Sequence, residues 1–287
     1  MKKSLTIALL IVLISCTGES DEMANSSWED VQTSGEGVVT LYYVPSDGFS
    51  YYTGNDRLTG VTIEIFRDFI DYVNVEHDVD VTIHYKPVEQ FSNFYQTVKN
   101  SIGGVFGVAN VTITEERKNE LMFSPSYMTN IATLITNSET QKLASIEEIS
   151  TVFRSLDALA FKGTLHEERL IRIKESYLPD IEIHYAESNN EIIDRVSVSN
   201  SYFAYIDIYN YWRALDDGAP LQRHAPGDIS SEEFGIIMPL NSDWTVLMEN
   251  FFDAGDGYRN SDRYRSIFVE HLGNELTEIL LGYNSRM

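Results

Sequence analysis

The chain has 287 residues, 43% of them hydrophobic, with 17 Tyr, 14 Phe and 3 Trp. That supplies enough apolar surface for one large domain or two lobes of ordinary size. The formal net charge of −23 gives a surface that repels phosphate backbones, which excludes nucleic acid as a partner. A single cysteine, Cys16, excludes an intramolecular disulfide, so the fold must rest on its core. The six histidines are scattered without the ligand spacing of a zinc site, and no cofactor is expected.

The first residues read as a targeting segment. Met1-Lys2-Lys3 is a short positive start, residues 5–14 are apolar except for Thr6, and Ser15 is a small residue ahead of a cut. The run is too short to stay in a bilayer as a spanning helix. Leu13-Ile14-Ser15-Cys16 resembles the lipobox of bacterial lipoproteins. The resemblance implies removal of residues 1–15, diacylation of Cys16 and a mature chain of 272 residues with a charge of −25. Two acyl chains give a stable anchor where one is marginal. Residues 16–36 are rich in Ser, Gly, Asp, Glu and Asn and read as a flexible tether between lipid and domain. Trp28 is the exception there, a side chain that can dock on the domain.

From residue 37 onward strands and helices alternate. Residues 38–44 are β-branched and aromatic, as a strand requires. Ile63, Phe66, Ile70 and Val73 recur at helical spacing over 62–76, and Val79, Val81, Ile83 and Tyr85 alternate at strand period. A helix over 91–101 and a strand over 103–111 follow. The rhythm restarts with a strand at 159–161, a charged helix at 164–176, a strand at 181–185, a helix at 190–196 and strands at 202–206 and 234–238. Helices over 244–252 and 261–282 close the chain. This alternation predicts an α/β fold with largely parallel sheets. The two restarts, with no Pro/Gly-rich linker between them, predict two lobes joined by strands that cross from one to the other. The acidic turn Asp253-Ala254-Gly255-Asp256-Gly257 lacks the ligand spacing and distal Glu of a calcium loop.

One segment concentrates polar chemistry: Asn110-Val111-Thr112-Ile113-Thr114-Glu115-Glu116-Arg117, then Phe123-Ser124-Pro125-Ser126-Tyr127. Thr114 can cap a helix that has Arg117 in its first turn. A cation there opposes the helix dipole, so local physics alone reads Arg117 as a surface charge. The segment, however, resembles the signature of family 3 extracellular solute-binding proteins, the amino-acid receptors of ABC transporters. Thr112, Ile113, Thr114 and Arg117 fall in register with it, with Pro125 and Ser126 exchanged in the second element. The resemblance extends through most of the chain. Residues 58–65 match a Gly-Phe-Asp-Val-Asp segment with Glu64 for the usual Asp, and Phe161-Lys162-Gly163-Thr164 matches a Gly-Thr turn. Residues 202–207 match a strand ending in Asp, and residues 234–239 match the strand that returns to the first lobe.

The resemblance implies a periplasmic-binding-protein type 2 fold. Lobe 1 would comprise 37–131 and 234–287, and lobe 2 would comprise 132–233. Each lobe would be a mostly parallel sheet flanked by helices, with two crossover strands between them. It also implies roles for ligand-binding residues. Arg117 would grip a ligand carboxylate, because a planar guanidinium matches two oxygens. Thr112 would add a hydroxyl. Thr164 would present the N-terminus of the second-lobe helix to the same anion. Asp207 would balance an ammonium, Phe91 would stack on the ligand, and Phe49 or Tyr51 would close the other side. Departures from the pattern narrow this. Asn110 replaces a glycine and would meet the ligand or intrude on it, Gly107 replaces an aspartate, and Leu165 with His166 follows the Gly-Thr turn. Taken alone, Asp207 reads as a solvated strand-end carboxylate and His166 as an exposed first-turn histidine.

The expected function is capture of a small carboxylate-bearing ligand, an amino acid or a relative, by hinge closure at the periplasm or cell surface. The partners would be a membrane permease or a sensor, and the bilayer through Cys16. Two alternatives stay open. One is an enzyme on the same scaffold, a dehydratase with Glu115 or Glu116 as its acid or a relative of lytic transglycosylase regulatory domains. The other is an interaction lipoprotein that no longer binds ligand.

Overall fold

The computed structural model describes residues 25–284. The expected signal peptide and Cys16 lie outside the described residues. The second half of the expected tether is structured. Trp28–Ser34 forms helix α1, opened by a reciprocal cap between Ser27 and Asp30 and ended by Gly35 at φ 80°. Such a cap satisfies two of the helix's orphan N–H groups. Trp28 packs edge-on against His77 and Trp244, with ring centroids at 4.9 and 5.4 Å. The Trp244 indole N–H donates to the Ser26 carbonyl. Polar composition hid this helix because its stability comes from capping and from only two apolar side chains, the buried Val31 and the docked Trp28.

In the first lobe, strand β1 (Glu36–Tyr43) leads to a small hairpin, β2 (Tyr51–Tyr52) and β3 (Leu58–Thr59), and to helix α2 (Val61–His77). Strand β4 (Asp80–Pro87), helix α3 (Phe91–Lys99) and strand β5 (Val105–Thr112) follow, each within two residues of its sequence expectation at either end. A single helical turn, α4 (Glu115–Lys118), and strand β6 (Leu121–Phe123) lead into the long strand β7 (Met128–Asn137). The second lobe holds α5 (Ile149–Val152), β8 (Asp157–Phe161), α6 (Leu165–Tyr177), β9 (Ile183–Ala186), α7 (Asn189–Val198), β10 (Tyr202–Asp207), α8 (Ile208–Asp216) and β11 (Leu221–Arg223). Strand β12 (Ile229–Pro239) returns to the first lobe, where α9 (Thr245–Asp253) and α10 (Asp262–Asn284) complete it. The closing helix expected as one run breaks at Gly273, whose φ of 79° no helix accommodates.

Apart from the β2–β3 hairpin, the strands form one continuous sheet in the order β4–β1–β5–β12–β7–β10–β8–β9, with β6 added beside β12 and β11 beside β7. At one end β1 pairs in parallel with β4 and β5, and at the other β8 pairs in parallel with β9 and β10. Between them β7 and β12 run antiparallel, with a register shift between Ser230 and Glu232. These are the two crossover strands. Gly107 on β5 lies where a Cβ would come within 2.8 Å of Phe94, Val98 and Ile237. Close packing of α3 and β12 therefore explains the departure from an aspartate at that site.

The core of the first lobe is aromatic. Phe66, Phe69, Phe106 and Trp244 meet with ring centroids between 4.8 and 6.3 Å, and each is fully buried. Truncating any of these phenylalanines to Ala removes ~3–5 kcal/mol. Glu64, in the first turn of α2, is buried. Burial alone would raise its pKa, but the Thr59 hydroxyl and Arg67, Arg57 and Arg263 outweigh it and hold the carboxyl below its ordinary value. The second lobe has a smaller core around Phe153, Phe203, Leu134, Ala158 and Leu170. Among the described residues no helix is long and apolar enough to cross a membrane.

His224 is fully buried beside Phe153. Its Nδ1 accepts the Leu143 backbone N–H at 3.1 Å, and Nε2 lies 2.8 Å from the Thr136 hydroxyl. That hydroxyl donates to the Asn137 carbonyl, so Nε2 carries the proton and the ring is neutral. Burial, with Lys142 nearby, lowers its pKa from 6.5 to about 4. The unfolded chain therefore binds the extra proton first. Stability should fall as pH drops through the window from 6.5 to about 4, by up to about 3 kcal/mol from this group. Urea midpoints measured across that window should slope less steeply in His224→Gln than in the native chain; equal slopes would contradict the assignment.

Candidate functional site

A cavity of about 810 Å³ lies between the lobes. Arg117, Thr112, Asn110, Phe91 and Tyr51 line it from the first lobe, and Thr164 and Asp207 from the second. These are the seven ligand-binding positions expected from sequence, brought to one surface. Phe49 is not among the lining residues. It is buried in the core beneath, with its ring 4.3 Å from that of Tyr209. Glu115 and Glu116 are exposed and away from the cavity wall, and Glu115 pairs with Lys118.

Arg117 is held from three sides. Thr114 caps α4 by accepting the Arg117 backbone N–H at 3.1 Å. The guanidinium donates through NH1 to the Thr112 carbonyl at 3.1 Å. Its carbon lies 5.8 Å from the Phe91 ring centroid and 5.7 Å from that of Tyr95, distances at which a cation is attracted to the ring face. Burial lowers its pKa, opposed by Tyr95 and Glu168. Among the described residues no carboxylate lies within ion-pair distance of this guanidinium. The dipole penalty read from sequence vanishes, because α4 is one turn long and Arg117 belongs to its last turn as much as its first.

Asn110 is in the left-handed region at φ 52°. Asparagine tolerates that conformation better than most residues, which is why it can stand where the related pattern has glycine. Its side chain bridges the lobes. Tyr127 donates to Oδ1 at 2.7 Å, and Nδ2 donates to the Tyr209 hydroxyl at 3.0 Å. Burial, then Asp207, raises the Tyr209 pKa, so the phenol stays neutral. Thr164 precedes α6, but its hydroxyl donates backward to the Phe161 carbonyl at 2.7 Å. Among the described residues no side chain caps the α6 N-terminus, which faces the cavity through Thr164, Leu165 and His166. Tyr51 meets His271, its hydroxyl 3.0 Å from Nδ1.

Asp207 and His166 correct the readings made from each alone, since both are buried. They belong to a closed ring of five side chains at the hinge. His166 Nε2 lies 3.2 Å from Asp207 Oδ1, and Asn130 Nδ2 donates to the same oxygen at 2.6 Å. Asn130 Nδ2 also donates to Glu232 Oε2 at 2.9 Å. Glu232 Oε1 receives Arg169, whose other nitrogen lies 2.9 Å from His166 Nδ1. The arginine can only donate, so Nδ1 accepts and Nε2–H points to Asp207. The ring joins α6, the end of β10 and both crossover strands. Sequence reasoning missed Asn130, Arg169, Glu232 and Tyr209. They are far apart in the chain and belong to no spaced motif, so only the fold assembles them.

A family model described as bacterial extracellular solute-binding proteins, family 3, matches residues 40–274. The chain belongs to this family, whose members act outside the cytoplasm. Solved structures share the fold at low identity. A putative binding component of an ABC transporter from Wolinella succinogenes, complexed with lysine, superposes with a TM-score of 0.68 at 12% identity, over 84% of this chain and 97% of that one. An ancestral arginine-binding protein bound to arginine gives 0.67 at 16%, over 82% and 98%. The architecture is thus a two-lobed periplasmic-binding-protein type 2 fold. Curated relatives include the membrane-bound lytic murein transglycosylase F of Methylobacillus flagellatus, 26% identical over 92% of this chain and 54% of its own length. That of Photobacterium profundum is 25% identical over 61% of this chain and 32% of its own length. The chain therefore spans between a third and just over half of the relatives it matches.

The hinge ring generates a stability prediction. Arg169→Met leaves the buried Glu232 carboxylate without its cation and should cost ~3–5 kcal/mol. The double change Arg169→Met with Glu232→Leu removes both charges and should recover most of that loss. Urea unfolding of the two variants checks this; equal losses would show that the pair is not coupled.

Proposed function

We propose that the chain captures a small carboxylate-bearing ligand, an amino acid or a relative, in the interlobe cavity and closes on it by hinge motion. The observation that carries this reading is Arg117. It is a guanidinium held on the cavity wall by one carbonyl and two aromatic rings, with no carboxylate partner among the described residues. Two of its nitrogens can meet two ligand oxygens. The uncapped N-terminus of α6 faces the same space and favours an anion. Asp207 would take the ligand's ammonium while its Oδ1 stays in the hinge ring, and Phe91 would pack on the ligand's apolar part. Thr112 and Asn110 would complete the floor. Tyr51 would close the outer side. Hinge closure of this kind is general to periplasmic binding proteins.

The family description and the amino-acid-bound structures support this reading over an enzymatic one. Anchoring by Cys16 would hold the chain at the membrane, where a permease would receive the ligand for ABC-type uptake. The murein transglycosylase relatives support a second reading, in which the same closure informs a membrane partner instead of feeding a transporter. Loss of uptake of the bound ligand on deleting the gene separates the two.

Four outcomes test the proposal. A thermal-shift screen with amino acids and small carboxylates should raise the melting temperature for at least one compound. Arg117→Ala should weaken that compound about a hundredfold, the ~2–3 kcal/mol of paired charge-assisted hydrogen bonds. Arg117→Lys should restore only part, because an ammonium lacks the planar fork. An unchanged affinity in Arg117→Ala would refute the carboxylate grip. Cys16→Ser should move the chain from the membrane fraction to the soluble exported fraction.

A further inference from the structure

The two lobes are joined by more than the crossover strands. Helix α8 follows β10 of the second lobe without a break, yet its first two side chains, Ile208 and Tyr209, belong to the apolar core of the first lobe. Later in the same helix, Ala214 and Leu215 pack in the core of the second. Tyr209 is 2% exposed, and its ring lies 4.3 Å from that of Phe49. Helix α8 therefore crosses the divide a third time, through packing instead of backbone pairing. Parting of the lobes beside the cavity must draw Tyr209 out of the first lobe or carry α8 away from the second.

Asn110 secures that crossing. Its φ of 52° suits glycine or asparagine, and of these two only asparagine brings a side-chain donor and acceptor. Both are spent on the protein. Oδ1 accepts the hydroxyl of Tyr127, whose own carbonyl accepts the Tyr264 hydroxyl on α10. The amide is thereby oriented from the first lobe, with Nδ2 aimed at Tyr209. Since the amide nitrogen only donates, the Tyr209 oxygen accepts it, and the phenol hydrogen is left for Ser46 Oγ at 3.4 Å. The lobes also meet at their rims, where Asp47 pairs with Arg213 at 3.2 Å and Gln90 reaches Glu187 at 3.4 Å. Those side chains are partly or fully exposed, and the ion pair there contributes little in salt.

We propose that α8 is a bolt between the lobes and that the Asn110 side chain is its keeper, so that together they hold the ligand-free chain close to its closed arrangement. Asn110 stands on the cavity wall, but its amide serves the lobes and not the ligand. A glycine at 110, as in the related pattern, would leave Tyr209 with packing alone and allow the lobes a wider swing. The inference concerns the chain without ligand, so it stands apart from the carboxylate role of Arg117. Its consequence for binding is that closure needs only a small shift of population, and little affinity is lost to an open state.

Spin labels test it. Val75→Cys in the first lobe and Val198→Cys in the second, at positions 84% and 85% exposed, are labelled in the full chain carrying Cys16→Ser. Double electron–electron resonance then gives the distance between them with no ligand added. This background should show one narrow distance. Asn110→Gly, which accepts the same backbone conformation, and Tyr209→Phe, which keeps the ring, should each raise the open-to-closed ratio about fivefold, the worth of one hydrogen bond. The double variant should do no more than either single change, because all three break the same bond. Tyr209→Ala, which removes the ring as well, should make the open population the larger one. Sodium chloride at about 1 M, where the screening length is ~3 Å, should leave the background distance as it is. A background distribution that is already broad would overturn the proposal, as would variants that all leave it narrow. Additive effects in the double variant would overturn it too. Opening in salt would assign the closure to the rim contacts and overturn it as well.

Discussion

The arrangement of the two lobes depends on one nitrogen. Asn130 Nδ2 donates to Asp207 at 2.6 Å and to Glu232 at 2.9 Å, and all three residues are buried. Two carboxylates so close repel each other, and burial makes each costlier still. They can coexist only because Arg169 balances Glu232 and the His166 N–H balances Asp207. The position of α6 is therefore tied to the geometry of β7 and β12. Any motion of one lobe relative to the other must keep this ring or break it as a unit.

In the proposed function, that tie would join binding to closure. The N-terminus of α6 faces the cavity, and the same first turn carries His166 into the ring. Asp207 both lines the cavity and anchors the hinge. On the opposite side, Asn110 on β5 reaches the Tyr209 hydroxyl on α8. In that reading, a ligand placed against Arg117 would contact elements whose mutual position the ring controls. Differential contact of this kind is the only means by which a ligand shifts a conformational equilibrium.

Much of the fold could be read in advance because its signals are local. Ile63, Phe66, Ile70 and Val73 mark α2 by their spacing alone, and Val79, Val81, Ile83 and Tyr85 mark β4. The polar segment of α1 was hidden, since a capping pair and only two apolar anchors, Trp28 and Val31, leave no extended periodicity. The strand β7 and helix α8 escaped for different reasons. In β7 every residue but Thr129 is buried, so alternation disappears. Helix α8 follows β10 directly, with Asp207 as the hinge between them. At the site, Arg117, Thr112 and Thr164 were legible through their register within a family pattern, and His166 was misread because its burial is a property of the hinge.

By itself, the sequence determined the alternation of strands and helices, the acidic character that argues against nucleic acid, and the family register that singles out Arg117. These follow from spacing of three to four residues in helices and two in strands, and from side-chain chemistry that needs no context. Tertiary structure alone decided that Arg117 has no ion pair among the described residues, that Asp207 and His166 are buried, and that Asn130, Arg169 and Glu232 meet them. Burial and partnership depend on segments a hundred residues apart being packed together, and no local pattern carries that information.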